Sequence, residues 1–268
     1  MASPLLNVML AAARKAGRAL IRDFGEVEQL QVSRKGPADF VSVADEKAER
    51  IIREELQRAR PAYGLMMEES GVVPGSDTSH VWIVDPLDGT TNFLHGVPHF
   101  AISLALERNA EIVCAVVFNP VTDEAFVAEK GTGAFLNGRR LRVAARRELR
   151  DCVVATGIPY HGRPGHAEFL RSLEAVMAEV AGVRRFGCAS LDLAWVAAGR
   201  YDGYFERGLA PWDIAAGLLL VQEAGGLTSD LGGRNRMMKT GDVLAANAEL
   251  HGPLLKLVSR PALAGASA

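Results

Sequence analysis

Two aspartates follow a short apolar run in the first third of the chain. The run 81–84 leads into "DPLDGTT", where Asp85 and Asp88 are three residues apart with no basic residue between them. A continuous apolar run is typical of a strand that is buried on both faces, and the end of such a strand is a common place for chemistry. Carboxylates this close repel each other unless they share a proton or a cation. The stretch is therefore a candidate cation site.

Four other carboxylates are candidate ligands for the same cation. They are Glu68 and Glu69 in "MMEES", Asp45 in "SVAD" and Asp213 in "PWDIAAG". No His or Cys accompanies them at the spacing of a metal site. Carboxylate, carbonyl and water oxygens suit Mg²⁺, Mn²⁺ or Ca²⁺ and not Zn²⁺ or copper. The set therefore predicts a hard divalent cation.

Each acid also has a plainer interpretation. Asp213 stands in the first turn of a predicted helix, where an acid commonly interacts with the helix dipole. A solvated loop would explain Glu68 and Glu69. An Asx turn after the strand would explain Asp85 or Asp88 singly, although it explains the buried strand that leads to both of them less well.

Gly89, Thr90 and Thr91 follow the second aspartate directly. Backbone N–H groups after a glycine can cradle a phosphate oxygen, especially where a helix begins. A cation held beside such an anion site suits a phosphate ester, with a metal-activated water as the nucleophile.

Composition excludes several other classes of protein. The 268 residues are 49% hydrophobic and 23% charged, with a net charge of −2, which is ordinary for a globular protein and gives no basic signature of nucleic-acid binding. The three cysteines are far apart, so we do not expect a disulfide framework. Free cysteines suit a reducing cytoplasm, which is the expected location. No apolar run of about 18 residues predicts a membrane span.

Periodicity predicts a mixed α/β chain. Helices are expected over about 4–24 and 43–60, followed by an antiparallel meander of strands and a short hairpin at "GTGAFLNGRRL". After a charged break near 143–150, strands alternate with helices. Ser190 is the expected N-cap of the helix in "SLDLAWVAAG", and Cys188 is expected to be a buried small residue and not a nucleophile.

These motifs together resemble the Mg²⁺-dependent, lithium-sensitive inositol monophosphatases, most closely the bacterial branch called the extragenic suppressor protein. The resemblance rests on "KGPADFVSVAD", "EES", "WIVDPLDGTTNF", "GTGAFLNG", "GCASLDLAWVAAGRYDGYFE" and "PWDIAAG". It implies an α/β (α+β) layered αβαβα sandwich. The chain would form one unit, 1–268, with subdomains of about 1–145 and 146–260 and a disordered tail at 261–268. Met67 departs from the family, which usually has a glycine before Glu68.

The resemblance also implies roles for individual residues. The metal ligands, for two to three Mg²⁺ ions, would be Glu68, Asp85, the carbonyl of Leu87, Asp88 and Asp213. The catalytic set would be Asp45 and Thr90, which orient the attacking water, and Glu69, an acid near the metals. The substrate contacts would be the N–H groups of Gly89 and Thr90 to the phosphate, and Asp88, Ala189 and Glu206 to the inositol hydroxyls.

The function implied is the hydrolysis of myo-inositol 1-phosphate by a cytoplasmic homodimer. One alternative keeps the chemistry and changes the substrate to histidinol phosphate, fructose 1,6-bisphosphate or a nucleotide. A second alternative is a non-catalytic partner role with RNA polymerase in transcription, since the bacterial branch is associated with it. Direct nucleic-acid binding and membrane association are not expected.

Overall fold

The computed structural model describes residues 3–26, 32–36 and 39–259, and side chains outside 32–42. The predicted disordered tail, 261–268, lies outside the described residues. No helix within these ranges is both long enough and apolar enough to cross a lipid bilayer.

Eight helices and fifteen strands make up the described part of the chain. The helices are α1 Pro4–Phe24, α2 Val43–Ala59, α3 Thr90–Leu94, α4 His166–Met177, α5 Ala189–Ala197, α6 Pro211–Glu223, α7 Met237–Thr240 and α8 Ala248–Val258. The strands are β1 Val32–Gly36, β2 Asp39–Ser42, β3 Tyr63–Met67, β4 Gly71–Val73, β5 Asp77–Asp88, β6 Ala101–Arg108, β7 Glu111–Asn119, β8 Glu124–Glu129, β9 Gly133–Leu136, β10 Arg139–Arg140, β11 Val153–Thr156, β12 Gly182–Arg184, β13 Gly203–Glu206, β14 Leu227–Ser229 and β15 Val243–Ala246.

The strands form two large sheets and a small hairpin. The larger sheet has the order β10-β9-β8-β7-β6-β5-β3-β4, and its strands from β5 to β10 pair antiparallel in chain order, which confirms the predicted meander. The smaller sheet has the order β12-β11-β13-β15-β14 and is parallel on one side and antiparallel on the other. Strands β1 and β2 pair only with each other.

Three hydrophobic cores show how the layers stack. Helices α1 and α2 pack on the outer face of the larger sheet. Helices α5 and α6 share a core with the inner faces of both sheets. Helices α4 and α8 cover the outer face of the smaller sheet. The order helix, sheet, helix, sheet, helix confirms the predicted αβαβα sandwich, whereas the division into subdomains near 145 stays a prediction.

Strand β5 explains the apolar run that precedes the two aspartates. Trp82 and Val84 face the core beneath α1 and α2, and Ile83 between them faces the core that contains α5 and α6. A strand with both faces covered needs apolar side chains at every position. All three are at most 1% exposed.

Helix α1 offers a direct test of the outer layer. Leu20 is fully buried in the core beneath α1, whereas its neighbour Ile21 is 40% exposed. We expect Leu20→Ala to lower the free energy of unfolding by about 2–5 kcal/mol, because the deletion leaves a cavity. Ile21→Ala is the matched control and should cost less than about 1 kcal/mol. Urea unfolding measures both, and equal losses would contradict this packing.

Candidate active site

A β-bulge brings Asp85 and Asp88 together. Asp85 pairs with Ser103 and Asp88 with Ala101, so three steps along β5 match two steps along β6. In a regular strand, residues three apart point to opposite faces. The extra residue cancels that alternation, because a bulge re-aims the side chains that follow it. Pro86 lies inside the bulge, where a missing N–H donor is tolerated.

The turn after the bulge positions a hydroxyl and a carbonyl. Asp85 Oδ1 accepts a hydrogen bond from the N–H of Leu87 at 2.9 Å, so the Asx turn weighed from the sequence is present. Gly89 follows with φ 92°, a left-handed conformation that suits glycine. Thr90 Oγ1 then lies 3.0 Å from both the carbonyl oxygen of Leu87 and Oδ1 of Asp45, which is fully buried in the first turn of α2.

Glu68 and Glu69 lie in the turn between β3 and β4. The N–H of Glu68 donates to the carbonyl of Val84 on β5 at 3.2 Å, which brings this turn alongside the aspartates. Glu49 of α2 holds the turn from the other side, since its two oxygens accept from the N–H groups of Glu69 at 2.8 Å and Ser70 at 3.0 Å. Both glutamates therefore belong to an ordered turn that packs on α2, in contrast to the plainer interpretation of a solvated loop.

Met67 ends β3 immediately before that turn. It is fully buried and pairs with Val84 and Gly71 in regular strand register. The departure from the family glycine thus places a core side chain here, and the backbone does not need glycine's freedom.

Asp88 and Asp213 are each held at a helix N-terminus. Asp88 Oδ2 accepts from the N–H of Ser190 at 2.7 Å and from the thiol of Cys188 at 3.1 Å, at the start of α5. Asp213 is the third residue of α6, and its Oδ2 accepts from the N–H of Ala210 at 2.7 Å. Both N-termini favour negative charge at this point.

The expected N-cap at Ser190 is wrong. Helix α5 begins at Ala189, with Cys188 in the cap position, so Ser190 already lies in the first turn. Its N–H serves Asp88 instead of an N-cap side chain. Cys188 is 1% exposed, and burial raises the pKa of its thiol well above the usual range, as expected for a residue that is not a nucleophile.

Glu206 closes the site on the side of the smaller sheet. It ends β13, and its Oε2 accepts from the hydroxyl of Tyr204 at 2.5 Å. Gly157 lies directly against the carboxyl group, since a Cβ atom there would fall 1.8 Å from Cδ of Glu206. Burial, and then the charge of Asp88, raises the pKa of Glu206 to about 7 against the opposing Tyr204 hydrogen bond.

The acids perturb one another, which shows that they form one cluster. Burial raises the pKa of Asp85 well above its usual range, and the negative charges of Glu68, Asp88 and Asp213 raise it further. The pKa of Asp213 is also raised well above its usual value, first by burial and then by the negative charge of Asp88. Burial also raises the pKa of Asp88, although its bonds to Ser190 and Cys188 oppose the shift.

These residues fit a hard divalent cation. The donors are carboxylates and one carbonyl, all of them oxygens, as Mg²⁺ prefers. Their mutual repulsion and burial are what a bound cation would relieve. Within the described ranges, no three acidic, His or Cys side chains already form a preformed metal cage.

Several residues here were missed from the sequence. Glu49 was hidden among the polar residues of an amphipathic helix, where nothing in the spacing shows that it bonds to a distant turn. Asp192 of α5 is buried, and its pKa is raised well above the usual value by burial and then by the charge of Glu206. The sequence did contain a signal for Asp192, because an acid within an otherwise apolar helix is unusual.

Comparison with known proteins places the chain among characterised relatives. A family model described as "Inositol monophosphatase family" matches residues 1–261. The chain is 61% identical over 259 residues to the "Inositol-1-monophosphatase" of Rhizobium meliloti (strain 1021), which covers 97% of each chain. It is 44% identical over 259 residues to the "Nus factor SuhB" of Pseudomonas aeruginosa, covering 95% of this chain and 96% of the relative.

A solved structure agrees with the fold. The crystal structure of the extragenic suppressor protein suhB from Bartonella henselae superposes with a TM-score of 0.95 at 56% sequence identity. The match covers 96% of this chain and 99% of the other.

The raised pKa of Glu206 predicts a pH dependence of stability in the metal-free protein. A pKa of about 7 in the folded state, against 4.5 for an ordinary glutamate, means that the folded state holds the proton more tightly. The free energy of unfolding should therefore fall as the pH rises from about 4.5 to about 7. Asp85 and Asp213 act in the same direction.

Glu206→Gln removes this titrating group, so the free energy of unfolding should fall less between about pH 4.5 and 7 than in wild type. The difference should be on the order of 3 kcal/mol. Urea unfolding across this pH range in the presence of a chelator measures it. Exposed Glu174→Gln is the control and should follow the wild-type slope. Identical slopes for wild type and Glu206→Gln would refute the shift.

Proposed function

The chain belongs to the inositol monophosphatase family, and we propose that it hydrolyses a phosphate monoester, myo-inositol 1-phosphate first, in a Mg²⁺-dependent reaction. The observation that carries the proposal is the bulge of β5. It brings the buried Asp85 and the half-buried Asp88 together with the half-buried Asp213 in one cluster of repelling acids, directly before the Gly89 turn. The relatives named inositol-1-monophosphatase support the choice of substrate.

The acids divide between two principal metal positions, as the family resemblance implies. The ligands proposed for the first are Glu68, Asp85 and the carbonyl of Leu87; for the second, Asp85, Asp88 and Asp213; a third, weaker position uses Glu68 and waters. When bound, Mg²⁺ supplies Lewis acidity toward the phosphoryl oxygens and lowers the pKa of water.

The pair Asp45 and Thr90 orients the attacking water. With the hydroxyl proton of Thr90 directed to Asp45 at 3.0 Å, the Thr90 oxygen keeps a lone pair that can accept a hydrogen bond from water. That bond would turn the oxygen of the water toward phosphorus. Glu69 lies in the adjoining turn and, by the family resemblance, is an acid near the metals.

The two ends of the substrate meet different groups. The N–H groups of Gly89 and Thr90, at the glycine turn, would donate to the phosphate. Asp88, Ala189 and Glu206 lie toward the alcohol. The Glu206 carboxylate can accept hydrogen bonds from hydroxyls and would repel a second phosphate, which favours a polyol over a bisphosphate.

The finer properties implied by the family resemblance are part of the same proposal. They are a homodimer, a cytoplasmic location, inhibition by lithium and an occupancy of two to three Mg²⁺ ions. Of these, the cytoplasmic location is supported by the three free, buried cysteines, which suit a reducing compartment.

Phosphate release tests the proposal directly. Wild type should release phosphate from myo-inositol 1-phosphate only with Mg²⁺, and Asp88→Asn should lose about 100-fold or more in kcat. The size follows because even the outer partners of metal ligands are worth about 10–100-fold. Asn can still accept from the N–H of Ser190, so the fold should survive.

Thermal unfolding provides a second readout. Millimolar Mg²⁺ should raise the Tm of wild type, because a ligand that binds only the folded state stabilises it. The rise should be smaller in Asp88→Asn, because that variant loses a ligand of the second metal position and keeps those of the first. Without metal the variant should be at least as stable, since it removes a repelling charge. Asp123→Asn, exposed in the turn between β7 and β8, is the control and should behave as wild type. Magnesium-independent release would overturn the proposal.

A second candidate function is a partner role in transcription. It is supported by relatives named Nus factor SuhB, at 44% identity over almost the whole chain. The net charge of −2 does not favour direct RNA contact, so the partner would be a protein such as RNA polymerase.

Binding to purified RNA polymerase, measured by surface plasmon resonance, tests this role. We expect Asp88→Asn to bind as wild type does, because it changes one side chain of the acid cluster, keeps the bond from the N–H of Ser190 and leaves the outer surface unchanged. Absence of binding by wild type would remove the candidate. Loss of binding only in Asp88→Asn would link the two functions through the metal site.

A further inference from the structure

A cavity of about 700 Å³ opens beside Glu206, outside the acid cluster. Its walls are the segment 157–165, the first turn of α4 and the residues that follow β13. The lining side chains that matter here are Ile158, Tyr160, Arg163, Phe169, Glu206 and Asp242. Ligand pockets commonly measure about 300–1,000 Å³, so this space is larger than a single polyol ring needs.

Glu206 belongs to both the candidate site and the cavity. Its charge interacts with Asp88 in the acid cluster and with Arg163 in the cavity wall. The backbone at Gly157 packs directly against its carboxyl group. An alcohol that meets Glu206 therefore stands at the opening of the cavity, and any extension of that alcohol can continue into it.

The two basic side chains of the wall make contacts within it, although Nη1 of Arg207 is buried without a hydrogen-bond partner. The guanidinium carbon of Arg163 lies 4.7 Å from the ring centroid of Tyr160, and its Nη1 donates to the carbonyl of Gly208. Arg207 Nη2 donates to Glu168 Oε1 at 3.1 Å. These contacts tie the segment 157–165 and helix α4 to the residues after β13.

Charge argues against a second phosphate in the cavity. The wall carries three carboxylates, on Glu168, Glu206 and Asp242, against the guanidinium groups of Arg163 and Arg207. The wall therefore offers no excess of positive charge that would hold a second phosphate. Hydroxyl groups suit the same wall, because carboxylates accept their hydrogen bonds. The exposed side chain of Ile158 and the ring of Tyr160 offer apolar surface to the flat face of a sugar, with the largely buried Phe169 behind them.

We propose that the cavity binds a second polyol ring, so that the enzyme acts on phosphate monoesters whose alcohol is two linked hydroxylated rings. The inference rests on the proposed phosphatase activity, with the phosphate at the acid cluster and the first ring at Glu206. The second ring then lies between Ile158, Tyr160 and Phe169.

Trehalose 6-phosphate and glucose 6-phosphate form a matched pair of substrates, because they differ by one ring. Wild type should show a kcat/KM at least about tenfold higher for trehalose 6-phosphate, which corresponds to roughly 1.4 kcal/mol of added binding. Ile158→Trp should bring the two within about twofold by filling the cavity, mainly through KM. Ile158 is 43% exposed, so the larger side chain disturbs no core.

The control variant is Met177→Trp, at an exposed residue at the end of α4 that does not line the cavity, and it should keep the wild-type ratio of the two kcat/KM values. Myo-inositol 1-phosphate is the reference substrate, because it has no second ring. A wild-type ratio of kcat/KM near one for trehalose 6-phosphate over glucose 6-phosphate would overturn the inference. An equal loss of kcat/KM on all substrates in Ile158→Trp would also overturn it. If wild type cleaves none of these esters, the proposed function fails. Saturation-transfer NMR with free trehalose then still tests whether the cavity binds a second ring. Saturation transfer from wild type to trehalose that Ile158→Trp abolishes supports the inference. No transfer from wild type overturns it.

Discussion

Repulsion among buried carboxylates is the constraint on which the rest of this molecule depends. Asp85, Asp88, Asp213 and Glu68 lie close enough to raise one another's cost of ionisation. Burying such charges without compensation is strongly unfavourable. The fold answers with the N-termini of two helices, α5 and α6, each of which provides an N–H donor to one acid. A bound cation would neutralise the negative charge that the two helix N-termini do not compensate.

The layers explain why this arrangement can be held in place. Helices α5 and α6 are packed between two sheets, so they are apolar almost all round and their N-terminal ends are fixed from both sides. The acid-bearing strand β5 is covered on both faces as well. The three aspartates thus lie on elements whose relative positions are set by two cores at once, whereas Glu68 lies in a turn that Glu49 of α2 holds in place.

Much of this could be predicted from the sequence, since the signals are local. The helix over 4–24, the meander and the acid-rich strand end follow from periodicity and composition. The family resemblance added the layered order. The bulge was missed, because register is a relation between two strands, although Pro86 in a strand was a clue. Glu49 and the bond from Ser190 to Asp88 were missed because each joins residues far apart in the chain.

The position of Glu206 has a consequence for how substrate range can change. The phosphate end of the site rests on strand and helix ends buried between cores, which open only with large parts of the fold. The alcohol end is bounded by the segment 157–165, where Ile158 is exposed and no helix or strand restrains the backbone between β11 and α4. Substitutions and insertions in that segment leave the acid cluster untouched. Divergence among relatives can therefore alter the alcohol that is accepted while the chemistry at phosphorus stays constant.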